Sequence, residues 1–202
     1  MGVGVIPRML HRTLPAVPDP DVERIWATVV ANTDGWERRT YQSPRDPDVW
    51  PMTGHLFHLC RDKAEESDLV RLEALWEHGG VYLDSDMELT RPLDWIVDES
   101  FVIGWEDDRW FGTAMLAAAP EHPAVGELLE VFAQHVESQQ PRSVTFPMIA
   151  TRLLHGRSDV RVMPRKAFYP YHAGHNPQDA GREWAADPAV YAIHRWHGSW
   201  LK

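Results

Sequence analysis

Two aspartates, Asp84 and Asp86, follow a short apolar run in the segment GGVYLDSDMEL, with one serine between them. The run has the length and composition of a buried strand, and the pair stands where that strand would leave the core. Two carboxylates at this spacing repel each other, so we expect a positive group close to them. The chain contains two further D-x-D triplets, but a proline stands in the middle of each. The neighbourhood of Asp84 and Asp86 therefore decides what chemistry they can do.

The position of this pair suits a divalent cation. Open α/β sheets bind their ligands beyond the carboxyl ends of their strands. Alternation along an extended chain would send Asp84 and Asp86 to one side and Ser85 to the other. Carboxylate oxygens at such an edge favour Mg²⁺ or Mn²⁺, which typically bind one or two carboxylates together with substrate phosphates. The pattern predicts metal-bridged binding of a diphosphate, with a pair of solvated loop carboxylates as the alternative.

Helices and strands alternate around this segment. Apolar residues recur at helical spacing from Ala64 to His78, and Gly79-Gly80 is typical of a helix C-terminus. Further helices are predicted within residues 21–32, 122–139 and 146–154. Strands are predicted at residues 3–10, 36–41, 81–83, 101–105, 113–119, 160–163 and 189–194. The alternation indicates an α/β sheet with helices on both faces, and one domain is expected over residues 1–202.

Composition narrows the class of protein. The net charge of −10 argues against a polyanion-binding protein, so no nucleic-acid partner is expected. No apolar run approaches the length of a membrane span, and the opening MGVGVIPRML is too short for a signal peptide. A single cysteine, Cys60, excludes an internal disulfide and fits a reducing compartment. These features predict a cytoplasmic protein.

The segment that ends in the aspartate pair resembles the sugar-binding region of glycosyltransferase family 32. That family includes fungal Golgi mannosyltransferases and bacterial capsule and lipopolysaccharide enzymes. A related string in the large glucosylating toxins reads A-x-x-S-D-x-x-R, followed by G-G-x-Y-x-D-x-D. Eight positions match at fixed spacing: Ser67, Asp68, Arg71, Gly79, Gly80, Tyr82, Asp84 and Asp86.

Shorter motifs extend the resemblance to both ends of the chain. IPRMLHRTL is similar to the family's opening I-P-K-x-I-H-x-x-W, with His11 in register. AAAPEHP resembles a segment ending in P-G-H-P, and HRWHGSW resembles the closing H-x-W-x-x-S-W. The resemblance implies a GT-A-like fold, which is a Rossmann-type nucleotide-binding α/β sandwich with a mixed central sheet.

The same resemblance implies an activity. The protein would be a metal-dependent, retaining glycosyltransferase that uses Mn²⁺ (or Mg²⁺) and a UDP- or GDP-sugar donor. A glycan, a lipid-linked sugar, a protein side chain and a small molecule all stay open as acceptors. A tryptophan of the family's opening motif is Leu14 here, and an asparagine before the P-G-H-P segment is Thr113. The resemblance therefore does not identify the nucleotide base or the donor sugar.

Carried over residue by residue, the resemblance assigns the metal and diphosphate contacts. Asp86 would bind the metal directly, and Asp84 would hold the donor ribose or sugar and bind the metal through water. His194 or Ser199 would complete the metal or diphosphate contacts, although a packed, hydrogen-bonded histidine is an equal alternative for His194. Trp200 would cover the leaving diphosphate.

The remaining assignments concern the donor sugar. Asp68 and Arg71 would contact it, and Arg71 would also balance the negative charge of the D-x-D pair. Arg71, Asp84 and Asp86 form the expected catalytic group. Tyr82 and His11 are in register with the motifs and are included as donor-binding positions. For Tyr82, positioning of the strand is the alternative.

Two other functions stay open at this stage. One is a transferase-like module that binds a nucleotide sugar without turnover. The other is a haloacid-dehalogenase-like phosphohydrolase, whose strand-then-D-x-D motif usually opens the domain, whereas more than 80 residues precede it here. A zinc site built from the three H-x-x-H pairs lacks a third ligand at a recognised spacing.

Overall fold

The computed structural model describes residues 4–139, 141, 143–172 and 182–197. Within them, eight strands are β1 Met9–Leu14, β2 Glu37–Gln42, β3 Gly80–Leu83, β4 Met87–Leu89, β5 Phe101–Trp105, β6 Phe111–Ala118, β7 Arg161–Met163 and β8 Ala192–His194. The α-helices there are α1 Pro20–Ala31, α2 Lys63–His78, α3 Pro123–Glu137, α4 Phe146–Leu154 and the short α5 Arg182–Ala185. No helix in these described ranges is both long enough and apolar enough to cross a membrane.

Six strands form one mixed sheet in the order β2-β1-β3-β6-β5-β7. The pairs β1–β2, β1–β3 and β5–β7 are parallel, whereas β6 runs antiparallel to both β3 and β5. The remaining two strands, β4 and β8, form a small antiparallel sheet. The expected α/β architecture with a mixed central sheet is confirmed.

Both faces of the large sheet are covered. Tyr82 and Leu116 pack in one core with α2, α3 and α4. Their neighbours Val81 and Met115 pack in a second core with α1 and β4. Side chains that follow one another along a strand point to opposite faces, so strands buried on both sides read as continuous apolar runs. This is why VYL and AMLAAA are apolar throughout.

Local chemistry sets the ends of α2, the helix that leads to the D-x-D pair. The Asp62 carboxylate accepts hydrogen bonds from the backbone N–H groups of Ala64 and Glu65 at the helix N-terminus. Gly79 follows the helix with φ 62° and Gly80 with φ 102°. A Cβ on Gly80 would lie 2.5 Å from the carbonyl oxygen of Met9, so only glycine lets β3 approach β1 here.

Two sequence-based predictions about strands are wrong. The first strand spans Met9–Leu14 and not residues 3–10, because its polar side chains find partners inside the protein: Arg12, for example, pairs with Glu23 at 2.9 Å. The D-x-D pair is not extended chain either. The backbone N–H of Met87 donates to the carbonyl of Asp84 at 2.9 Å, so residues 84–87 form a turn and strand alternation does not orient the aspartates.

Candidate active site

A tight turn at the carboxyl end of β3 carries both aspartates. The backbone N–H of Asp84 donates to the carbonyl of Ala114 on β6 at 2.8 Å. The Ser85 hydroxyl donates to the carbonyl of Thr13, near the end of β1, at 2.7 Å. The turn is therefore tied to both strands that neighbour β3. This edge of the sheet is where an open α/β fold places its ligand.

Arg71 on α2 supplies the positive group that the aspartate pair requires. Its guanidinium donates to Asp84 Oδ1 at 2.9 Å and lies 3.2 Å from Asp68 Oδ1 on the same helix. It also donates to the carbonyl of Thr113, and it stacks over the Tyr82 ring at 4.5 Å. Arg71 is 4% exposed, so these contacts hold it in one orientation.

His194 reaches the same turn through the small sheet. β4 starts directly after the turn and pairs with β8, so that Met87 lies opposite His194. His194 Nε2 is 3.3 Å from Asp86 Oδ1. The backbone N–H of His197 donates to the other carboxylate oxygen of Asp86 at 2.9 Å. A residue from the far end of the chain thus completes the group.

The two aspartates have opposite electrostatic environments. Burial raises the pKa of Asp84, against the opposing effect of Arg71. Burial also disfavours ionisation of Asp86, but its attraction to His194 and the hydrogen bonds from His194 and the His197 N–H outweigh this and lower its pKa. Burial disfavours protonation of His194, yet its attraction to Asp86 prevails and raises its pKa.

The donor set fits a divalent cation. Asp84, Asp86 and His194 each offer one ligand atom, and these atoms lie within 4.8 Å of one another. His194 Nδ1 is buried without a hydrogen-bond partner among the described residues. Two carboxylate oxygens and one imidazole nitrogen form a set that Mn²⁺ and Mg²⁺ accept. These residues can therefore hold a metal ion.

A second group meets the same distance limit: Asp19, Asp21 and His197. Its Asp21 side chain is 64% exposed and pairs with Arg24 on the helix surface. Exposed carboxylates of this kind are ordinary at a helix N-terminus, where they favour the helix dipole. The arginine that pairs with Asp21 is thus exposed, whereas Arg71 in the first group is buried.

The structure brings five of the predicted site residues together: Asp68, Arg71, Asp84, Asp86 and His194. Asp68 is close to Arg71, and burial raises its pKa to about 7 despite that charge. The predicted residues Ser199 and Trp200 lie outside the described residues.

Tyr82 adjoins this group through Arg71 and Asp84, whereas His11 lies apart from it. Tyr82 is fully buried in β3, and its hydroxyl forms a hydrogen bond with the Thr13 hydroxyl at 2.8 Å. His11 is also fully buried, at the opposite end of β3. Its Nε2 donates to the Gly79 carbonyl at 2.8 Å, and its Nδ1 accepts from the Tyr41 hydroxyl at 2.8 Å. With both ring nitrogens satisfied, this placement suits positioning of the strands and not contact with a donor.

Three residues around the site were missed by sequence reasoning. Trp196 packs its ring 4.0 Å from that of His194 and has φ 52°, a left-handed backbone that a bulky residue adopts only when its surroundings impose it. Tyr169 presents its ring edge-on to His194 at 5.9 Å. Glu106 stands at the start of the β5–β6 loop and interacts electrostatically with His194 and Asp84. Trp196 lies in HRWHGSW and Glu106 in a predicted loop, but the sequence assigned neither of them a role.

Comparison with known proteins agrees with this geometry. Residues 24–102 match the family described as the glycosyltransferase sugar-binding region containing a DXD motif. This range includes α2, β3 and the aspartate pair. Over 72 residues the chain is 33% identical to human alpha-1,4-N-acetylglucosaminyltransferase, which covers 36% of this chain and 20% of that protein. Over 138 residues it is 25% identical to inositol phosphoceramide mannosyltransferase 1 of Schizosaccharomyces pombe, which covers 58% of this chain and 40% of that protein.

The chain thus spans less than half the length of these curated relatives. Among solved structures, PaToxG glycosyltransferase superposes with a TM-score of 0.60 at 13% identity, over 75% of this chain and 69% of that one. This likeness shows the fold, and the family resemblance drawn from the motifs is confirmed by the match to residues 24–102. Residues 24–102 therefore match a DXD-containing glycosyltransferase sugar-binding region, and they lie in a fold like that of PaToxG glycosyltransferase.

Proposed function

We propose that this protein is a metal-dependent, retaining glycosyltransferase that moves a sugar from a UDP- or GDP-sugar to an acceptor, through one domain over residues 1–202. The observation that supports it most is the group of Asp84, Asp86 and His194, whose ligand atoms lie within 4.8 Å at the ligand-binding edge of the sheet. Arg71 adjoins that group, at 2.9 Å from Asp84.

Each residue has a distinct part in this proposal. Asp86 and His194 bind the metal directly, and Asp84 holds the donor ribose or sugar and binds the metal through water. A bound Mn²⁺ or Mg²⁺ would offset the negative charge that builds on the leaving diphosphate. Arg71 fixes Asp84 in place and, with Asp68, contacts the donor sugar. Retention of configuration follows from attack on the face that the diphosphate leaves.

The donor and the acceptor are proposed only as classes. The names of the relatives indicate transfer of N-acetylglucosamine and of mannose, so both sugars belong in a donor screen. Leu14 is 5% exposed and stands where the family has a tryptophan, which leaves uridine and guanosine equally suitable as the base. The acceptor is a glycan, a lipid-linked sugar, a protein or a small molecule.

The test is a metal-dependent stabilisation by nucleotide. UDP or GDP at a hundredfold over its Kd, with Mn²⁺, should add about 2.7 kcal/mol to the free energy of unfolding. Since each kcal/mol raises the Tm by about 2–4 °C in a domain of this size, the shift should be several degrees. It should vanish without metal and in Asp86→Ala. Asp34→Asn, which changes an exposed acid in the turn before β2, should retain it.

The same preparation separates the alternatives. A transferase releases nucleoside diphosphate from one of the sugar donors in the presence of Mn²⁺. A non-catalytic module would show the shift without release, and a phosphohydrolase would cleave p-nitrophenyl phosphate without preference for a nucleotide. If neither UDP nor GDP gives a metal-dependent shift, the proposal is wrong.

A further inference from the structure

The loop between β5 and β6 brings a third carboxylate, that of Glu106, to the edge of the sheet where the aspartate pair lies. The backbone N–H of Glu106 donates to the Trp110 carbonyl at 2.9 Å. The neighbouring Asp107 carboxylate accepts from the N–H groups of Arg109 at 2.7 Å and Trp110 at 2.8 Å. These bonds close the loop on itself, so the backbone that carries Glu106 is well defined.

Strand β6 connects this loop to the aspartate turn. Two consecutive β6 carbonyls accept hydrogen bonds from site residues. The Thr113 carbonyl accepts from the Arg71 guanidinium, and the Ala114 carbonyl accepts from the Asp84 N–H. Since β6 begins at Phe111, the loop lies only a few residues before both contacts. Glu106 is therefore held on the same framework as Arg71 and Asp84.

Aromatic packing sets the face on which Glu106 lies. Gly104 and Gly112 are paired across β5 and β6, and a Cβ on either would collide with Phe168 or Tyr169, at 2.6 and 2.2 Å. These rings thus lie flat against the hairpin, and Tyr169 in turn contacts His194 edge-on. Glu106 directly follows β5, and its electrostatic interactions with Tyr169 and His194 place it on the side of the hairpin where these rings lie.

The Glu106 carboxylate has no partner that explains its burial. Among the described residues it forms no hydrogen bond and no ion pair, although it is only partly exposed. Burial raises its pKa, His194 and Arg165 attract it, and Asp107 and Asp84 repel it. A partly buried carboxylate without a donor is costly, because its desolvation is not compensated.

The distance to the metal-binding group limits what Glu106 can bind. Glu106 is close enough to interact with Asp84 and His194, yet it does not belong to the set of ligand atoms within 4.8 Å. A group in that position lies beside the diphosphate and the cation and not on them. The sugar and the ribose of a nucleotide-sugar both flank the diphosphate and both carry hydroxyl donors, and a comparison of ligands with and without the sugar separates the two.

We propose that Glu106 accepts a hydrogen bond from a hydroxyl of the donor sugar and so determines which sugar is bound. This inference rests on the proposed function for the location of the donor. It names a specificity-determining residue outside the D-x-D motif and outside the range of the family match.

The experiment compares ligands with and without the sugar. Affinities for UDP, GDP, UDP-N-acetylglucosamine and GDP-mannose are measured with Mn²⁺ by calorimetry, for wild type, Glu106→Gln and Glu106→Asp. The matched control is Asp108→Asn, an exposed acid in the same loop. Glu106→Gln should weaken binding of the preferred nucleotide-sugar about tenfold, the loss expected for one hydrogen bond to a charged group. Its affinity for the nucleoside diphosphate should stay within about twofold of wild type.

The second variant and the control complete the design. Glu106→Asp keeps the charge but withdraws it by one methylene, so its affinity for the nucleotide-sugar should lie between those of wild type and Glu106→Gln. Asp108→Asn should bind both ligands like wild type. Unfolding midpoints check that each variant is folded. An unchanged affinity for the nucleotide-sugar in Glu106→Gln would overturn the inference. So would an equal loss for both ligands, since that would place Glu106 at the metal or the diphosphate.

Failure of the proposed function has a different signature. If wild type binds a nucleotide-sugar but never releases nucleoside diphosphate, the transferase proposal fails, and a selective loss in Glu106→Gln still supports the sugar contact. If wild type binds neither ligand with Mn²⁺, both proposals are wrong.

Discussion

Two buried histidines, His11 and His194, lie at opposite ends of β3 and have opposite properties. His11 adjoins the amino end, where the Gly79 carbonyl and the Tyr41 hydroxyl satisfy both ring nitrogens. Burial lowers its pKa to about 4, so it is neutral. His194 adjoins the turn after the carboxyl end, 3.3 Å from Asp86, and its pKa is raised.

Burial alone therefore does not determine the role of a histidine here. His11 has neutral partners, and its desolvation is not offset by any adjacent anion. His194 has the anion Asp86, and its other ring nitrogen is unsatisfied among the described residues. A satisfied, neutral histidine stabilises the fold, whereas a histidine with an anionic partner and a spare nitrogen can bind a cation or a ligand. We therefore propose a structural role for the histidine at the amino end of β3 and a functional role for the one at the carboxyl end.

The largest expected effect tests the carboxyl end. His194→Ala should lower the rate of metal-dependent nucleoside diphosphate release on the order of a hundredfold, the loss typical when a group that supports transition-state charge is removed. Release is measured with saturating Mn²⁺. The exposed His55→Ala is the matched control and should keep the wild-type rate. A His194→Ala protein with the wild-type rate would show that His194 has no role in the reaction.

The second effect tests the amino end. His11→Ala should reduce the free energy of unfolding by about 2–4 kcal/mol, because it leaves a buried carbonyl and a hydroxyl without partners and opens a cavity. Urea denaturation measures the loss. His78→Ala removes the partly exposed ring that stacks on His11 at 6.2 Å and should cost less than about 1 kcal/mol. His11→Ala should retain the metal-dependent affinity for nucleotide. A selective loss of that affinity would instead support the donor-binding role predicted from sequence.

The pH dependence of stability sharpens the comparison. The pKa of His11 falls from 6.5 to about 4 on folding, so the unfolded chain binds the extra proton between these values. The contribution of neutral His11 to the free energy of unfolding is complete above pH 6.5, and it is lost as the pH falls toward 4. Between pH 7 and pH 5 this amounts to roughly 2 kcal/mol. Urea denaturation of wild type and His11→Asn at both pH values isolates it. An equal pH dependence in the two proteins would show that His11 is not the group responsible.

The smallest effect concerns Tyr82, which lies between the two ends. Tyr82→Phe removes one hydrogen bond to the Thr13 hydroxyl and keeps the ring beneath Arg71. We expect a loss of about 1 kcal/mol in stability and an unchanged Kd for the nucleotide-sugar. Urea denaturation and calorimetry measure the two quantities. A Kd weakened about tenfold would make Tyr82 a donor-binding residue, as the motif suggested.

Local patterns in the sequence determined the segment from α2 to the aspartate pair. The helical spacing and the glycine pair act over a few residues, so they predict the helix, its end and the start of β3. The Asp68–Arg71 contact follows from the same helical geometry and is present at 3.2 Å. The match to the family also lies in this part of the chain.

Tertiary structure alone decided which distant groups meet this segment. His194 reaches Asp86 because β8 pairs with β4, and neither that pairing nor β4 itself has a local signature. Glu106 is brought near the site by the β5–β6 hairpin, against which two aromatic rings pack at Gly104 and Gly112. His11 matched a motif, yet its partners at Gly79 and Tyr41 come from β3 and β2 and give it a structural position. Contacts between residues far apart in sequence depend on packing of the whole chain, and local propensity does not encode that packing.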